Sequence, residues 1–192
     1  EQLQRVALES GRPVMFGTIA TRMADDPTSW QYQTGVIDDT VAKGGRMYGQ
    51  TTTRSINALF SFKSYLPFDN LPVWKELRAL PPEGQKQRLA DPDIRRQLVA
   101  AEAGMRPRSD EFQGGGAATT NPMKPDYDNI FVMQGVDWND PTVAQLSAAA
   151  DQHPVETMID LGLENDEQIF IQPLVNESPD DVLGLLRHPR NL

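Results

Sequence analysis

Residues 45–54, Gly45-Arg46-Met47-Tyr48-Gly49-Gln50-Thr51-Thr52-Thr53-Arg54, start apolar and end polar, as an extended strand does when it leaves a core for a solvated rim. Two other runs share this character. They are Pro13-Val14-Met15-Phe16-Gly17-Thr18-Ile19 and Gln168-Ile169-Phe170-Ile171-Gln172-Pro173-Leu174-Val175. Each is preceded by a stretch with helical spacing, the rhythm of parallel strands joined by crossover helices. The predicted fold class is therefore α/β. Strand ends carrying Thr18, residues 50–54 and Asn176 then point to one side, the side on which sheets and barrels of this class bind ligands.

The chain has 192 residues, 39% hydrophobic and 23% charged, enough for one domain with a sizeable core or for one and a half. A formal charge of −9, from 27 acidic against 18 basic residues, argues against nucleic acid and against an anionic membrane surface as partner. No run is long and apolar enough to span a bilayer, and the first residues lack the order of a signal peptide, so the expected location is cytoplasmic. With no cysteine there is neither a disulfide nor a thiolate metal site.

Outward from the opening stretch, Leu3, Val6 and Ala7 predict a short helix ended by Ser10-Gly11. A helix over about 28–43 follows the first strand and stops at Gly44-Gly45. The unit 13–54 is then strand, helix, strand, and a right-handed crossover makes its strands parallel neighbours. Beyond Arg54 come four aromatic residues, Phe60, Phe62, Tyr65 and Phe68, read as core or an interface patch. Helices are predicted over 73–80, 82–90 and 92–105, the last capped by Asp91 with Pro92 at its first position. Residues 106–124, with Gly114-Gly115-Gly116, read as a flexible loop; the glycines lack the Lys-Ser/Thr of a phosphate loop. A short strand within 129–136, a helix from Pro141 capped by Asp140, a helix from Pro154, and a last helix opened by Ser178-Pro179-Asp180-Asp181 complete the pattern.

Candidate chemistry is sparse. His153 and His188 each precede a proline and have no partner at a metal-ligand spacing, which favours capping or surface roles. Thr51, Thr52 and Thr53 either orient a substrate through hydroxyls or are strand-end residues of high β propensity. Arg54 either grips a carboxylate with two parallel hydrogen bonds or serves a structural salt bridge.

Several stretches in order resemble the amidohydrolase family that includes the D-aminoacylases, or N-acyl-D-amino-acid deacylases. They are Ser10-Gly11-Arg12-Pro13-Val14, then Gly45 to Gln50, the Pro67-Phe68 turn, Leu80-Pro81, Leu89-Ala90-Asp91-Pro92, Pro173-Leu174-Val175-Asn176 and His188-Pro189-Arg190. The resemblance covers nearly the whole chain. It implies part of a (β/α)₈ TIM-type barrel, with residues 1–58 and 153–192 as the barrel portion and 59–152 as a mostly helical insertion. It also implies a hydrolase acting on an amide C–N bond of an N-acyl amino acid, with zinc activating water in the full-length enzyme. Where deacylases carry a metal histidine at the end of the first strand, this chain has Gly17, Thr18 and Ile19. No catalytic residue and no metal ligand carries over, no zinc is expected in this portion alone, and this portion alone is expected to be inactive. Gln50, Arg54 and Asn176 are the expected substrate-binding residues, for a small-molecule amide. The alternative is a non-catalytic interaction or self-association module forming a homo-oligomer through uncovered apolar faces.

Overall fold

The structure, a computed structural model, describes residues 2–21, 29–105, 124–135, 139–176 and 178–192. Among them the elements are α1 (Gln2–Ser10), β1 (Val14–Thr18), α2 (Ser29–Ala42), β2 (Met47–Gln50), β3 (Ile56–Phe60), α3 (Pro72–Arg78), α4 (Pro82–Ala90), α5 (Pro92–Ala103), a 3₁₀ turn (Tyr127–Asn129), β4 (Phe131–Val132), α6 (Val143–Ala150), α7 (Pro154–Glu164), β5 (Phe170–Val175) and α8 (Pro179–Leu186). Of the described residues, those up to Asn57 and from Pro173 onward form one compact unit, and those from Ala58 to Gln172 form a second. None of the helices described is long and apolar enough to cross a membrane.

In the first unit β1 and β2 are parallel neighbours, as the sequence predicts, with Val14 opposite Met47 and Phe16 opposite Gly49. The register slips by one residue between Phe16 and Thr18, so Gly17 is the extra residue of a bulge, which re-aims the end of the strand. On the other edge of β2, residues 190–192 run parallel. Gly49 N–H donates to Arg190 O (2.9 Å), Leu192 N–H to Gly49 O (3.0 Å) and Thr51 N–H to Leu192 O (2.9 Å). The link from α2 to β2 follows from glycine. Gly44 takes φ +86°, Gly45 N–H reaches Thr40 O and Gly44 N–H reaches Val41 O, so the last carbonyls of the helix are satisfied as the chain turns. Ala7, Ile19, Ile37, Met47 and Leu185 are buried together, with Val14, Phe16, Trp30 and Val36 packed around them.

The third expected parallel strand does not join this pair. Residues 170–175 form β5 in a separate three-stranded sheet of order β3-β5-β4, with Phe131 opposite Ile171 and Val132 opposite Phe170 in antiparallel register. Two small sheets, one parallel and one antiparallel, replace the expected part of an eight-stranded parallel barrel. The fold is a small α/β fold. The reason is local. After α7 the chain turns at 165–168, where Gln168 N–H donates to Asn165 O, and Phe170 enters the second core beside Val132. A helix before a strand suggests a crossover, but it does not choose the strand's partner.

The second unit has its own core. Helix α7, assigned from sequence to the barrel portion, packs on α4, α5 and α6. Val155, Met158 and Ile159 are buried there with Trp74, Leu98, Ile130 and Phe170. The aromatic cluster is core: Phe68 and Trp74 are fully buried with ring centroids 4.8 Å apart. Helix starts follow the predicted capping, with one shift. Asp91 accepts from Asp93 N–H at 2.8 Å for α5, and Ser178 accepts from Asp181 N–H at 3.3 Å for α8. For α6 the cap is Thr142, in a reciprocal capping box with Gln145, whereas Asp140 accepts from Gln134 N–H. Residues 106–123, most of the expected loop, lie outside the described residues, as does the expected cap at 26–28.

Candidate functional site

The site builds from the ends of β1 and β2. Ile19 N–H donates to Gln50 O at 2.6 Å, extending the ladder past Thr18, and Thr51 Oγ1 donates to Ile19 O at 2.9 Å. Thr51 is therefore a clasp between the two strand ends. One face of β2 is closed, with Met47 and Gly49 buried, and Gln50 is exposed just beyond them. Both faces of a parallel sheet are ordinarily covered. Here Met15 and Gly17 of β1 and Gln50 of β2 are exposed on the other face.

Arg54 is exposed and, among the described residues, makes no hydrogen bond or ion pair through its side chain. Its carbonyl oxygen accepts from Thr52 Oγ1 at 2.9 Å, which closes a tight turn over residues 52–54. Asn176 follows β5 with φ +62° and is only 4% exposed. Its amide bonds to Thr21, beyond β1, and to Thr52, beyond β2. The structure thus brings Asn176 to the same strand ends as Gln50 and Arg54, although β5 pairs with neither β1 nor β2. Thr21, buried at 1% exposure, is the partner that sequence reasoning missed. The available signal was Asn176 itself, a residue suited to left-handed backbone at the end of an apolar run.

Both histidines make local contacts. His188 Nδ1 accepts from Arg190 N–H and Nε2 lies 3.1 Å from Asp38 Oδ1. His153 caps α7, its Nδ1 accepting from Val155 N–H at 3.2 Å, and its Nε2 lies 3.8 Å from Glu102 Oε2. Glu102 is fully buried, accepts from Tyr127 Oη at 2.9 Å and has Lys124 Nζ 3.3 Å from its second oxygen. Burial and the adjacent Glu102 charge push the Tyr127 phenol well above its ordinary range, so it stays a donor. Among the described residues no three His, Asp or Glu side chains converge on a point where a metal ion could sit. Among the described residues the strand-end side chains are threonine, glutamine, arginine and asparagine, which are not the usual ligands of zinc. Compared with models of known families, with curated proteins and with solved structures, the chain matches none.

Proposed function

We propose that the chain is part of a larger metal-dependent, cytoplasmic amidohydrolase that cleaves the amide C–N bond of an N-acyl amino acid. Water adds to the acyl carbon, the C–N bond breaks, and a carboxylic acid and an amine leave. The observation that carries this reading is Arg54, a cation that is exposed and unpaired among the described residues, on the turn just beyond a parallel strand pair. A guanidinium there meets a substrate carboxylate with two parallel hydrogen bonds, and the exposed Gln50 amide offers both a donor and an acceptor to the scissile amide. The order of motifs resembling the D-aminoacylases supports the same reaction. On this reading the chain contributes substrate recognition through Arg54 and Gln50, and the metal is held by other residues of the enzyme.

The test is amine release from N-acetyl amino acids by the full-length protein, with and without a chelator. Chelator-sensitive release that falls at least tenfold in Arg54→Ala supports the reading; no release, or release indifferent to both treatments, sinks it. A second reading, self-association without chemistry, is favoured by the exposed Leu3 and Val6 of α1 and Met15 of β1. A mass in sedimentation that stays monomeric as concentration rises removes it.

A further inference from the structure

Every polar atom of the Asn176 amide is engaged. Oδ1 accepts from Thr21 N–H at 2.8 Å and from Thr21 Oγ1 at 3.3 Å. Nδ2 donates to Thr52 Oγ1 at 2.8 Å and to Thr52 O at 3.3 Å. The backbone N–H of Asn176 donates to Thr21 O at 3.2 Å, so the residue is tied to one strand end by both main chain and side chain. A buried amide used in this way has no atom left for a substrate. Substrate contact, the role expected for Asn176 from sequence, does not suit this geometry.

The bonds lead instead to Arg54. Thr52 Oγ1 accepts from Asn176 Nδ2 and donates a hydrogen bond to Arg54 O at 2.9 Å, so one hydroxyl joins the buried amide to the turn that carries the exposed guanidinium. We propose that Asn176 is a positioning residue which, through Thr52, fixes the backbone from which Arg54 reaches a substrate carboxylate. The inference rests on the amidohydrolase reading and deepens it: the preferred substrates are N-acyl amino acids with a free carboxylate rather than neutral amides.

Three variants of the full-length protein test the relay. Asn176→Asp keeps the oxygen facing Thr21 and the tolerance for left-handed backbone, but sets an oxygen against Thr52 O. Thr52→Val keeps the size of the side chain and loses the hydroxyl, and Thr52→Ser restores the hydroxyl. Each protein is assayed with an N-acetyl amino acid and with its methyl ester. The expected result is a rise of about tenfold in KM for the free acid in Asn176→Asp and Thr52→Val, little change for the ester, and recovery in Thr52→Ser. The Asn176→Asp effect should also vanish in an Arg54→Ala background, because the residue acts through that side chain.

Equal losses for acid and ester, or Thr52→Ser as impaired as Thr52→Val, overturn the relay and leave the amidohydrolase reading standing. Should Asn176→Asp fail to fold, the two Thr52 variants decide the question alone. No turnover of either substrate by the unmodified protein overturns the amidohydrolase reading and this inference with it.

Discussion

Replacing Gly49 with alanine tests how closely β2 lies against its surroundings. A Cβ at Gly49 falls 2.4 Å from Ile19 Cδ1, 2.7 Å from Asn191 Oδ1 and 3.2 Å from Ile37 Cδ1. Favourable carbon contacts begin near about 3.5 Å, so the nearest atom must retreat by roughly 1 Å. Room for that is scarce. Ile19 and Ile37 are fully buried, and the β2 backbone is hydrogen-bonded to β1 on one edge and to residues 190–192 on the other. Overpacking of this kind costs about 1–3 kcal/mol, against a gain of roughly 0.5–1 kcal/mol from losing glycine's freedom in the unfolded chain. The net expectation is a loss of about 2 kcal/mol, toward the upper end because two buried side chains and a paired strand resist together.

Gly17→Ala is the control, one strand away with nothing within 4 Å of its Cβ, and should keep the gain of roughly 0.5–1 kcal/mol without the clash. Ile19→Val removes the offending Cδ1. Alone it costs about 0.5–1.5 kcal/mol; combined with Gly49→Ala it should cost at least about 1 kcal/mol less than the sum. Urea denaturation gives the overall stabilities, and amide hydrogen exchange at residues 47–50 isolates the first unit from the second. Gly49→Ala as stable as Gly17→Ala, or a strictly additive double variant, would refute the packing described.

Two further outcomes are expected in the second unit. Tyr127→Phe should destabilise by about 1.5–3 kcal/mol in urea, because the buried Glu102 carboxylate loses its 2.9 Å phenol donor. Since the folded phenol ionises well above its ordinary range, the unfolded state releases its proton first as pH rises past about 10. Wild-type stability should therefore fall with pH there through this group, and the variant should lose that component. The Lys86–Asp166 pair (2.8 Å) lowers the aspartate and raises the lysine from their ordinary values. Its contribution is present above the unfolded carboxylate range and is lost as pH falls through the lowered Asp166 value. At the alkaline end it is lost as pH rises through the raised Lys86 value. Flattening of both limbs in Lys86→Gln, followed by thermal unfolding across pH, is the expected result; unchanged limbs would refute the pairing.

Local structure was legible where one residue suffices to determine it. Asp91, Ser178 and the prolines after them start helices because an N-cap oxygen and a fixed φ act within a single turn. Gly44 ends α2 because the turn needs positive φ. The parallel pairing of β1 and β2 was also legible, since a helix of matching length lies between them. The start of α6 was misread although its signature, Thr142 with Gln145 three residues later, stands in the sequence; the Asp140-Pro141 dipeptide imitates a cap two residues early. Strand β3 gave no warning, for Ile-Asn-Ala-Leu-Phe does not alternate. The partner of β5 was illegible because an apolar run states that it will be buried, not against which neighbour.

That failure bears less on the strand-end site than on the barrel. The site needs the residue after β5 to meet the ends of β1 and β2, and sheet pairing is only one way to bring this about. Here the meeting is made by a side chain: the Asn176 amide spans from Thr21 to Thr52 with two bonds of 2.8 Å, one accepted and one donated. An amide has this capacity because its two ends differ in kind, whereas an ionised carboxylate in the same place would face Thr52 O without a proton. The backbone conformation that directs it there, φ +62°, is one that asparagine tolerates and a β-branched residue does not. Sequence reading singled out Asn176 for being polar at the tip of an apolar run. What it had no means to show is that both ends of the amide are spent within the protein, on Thr21 at one end and Thr52 at the other.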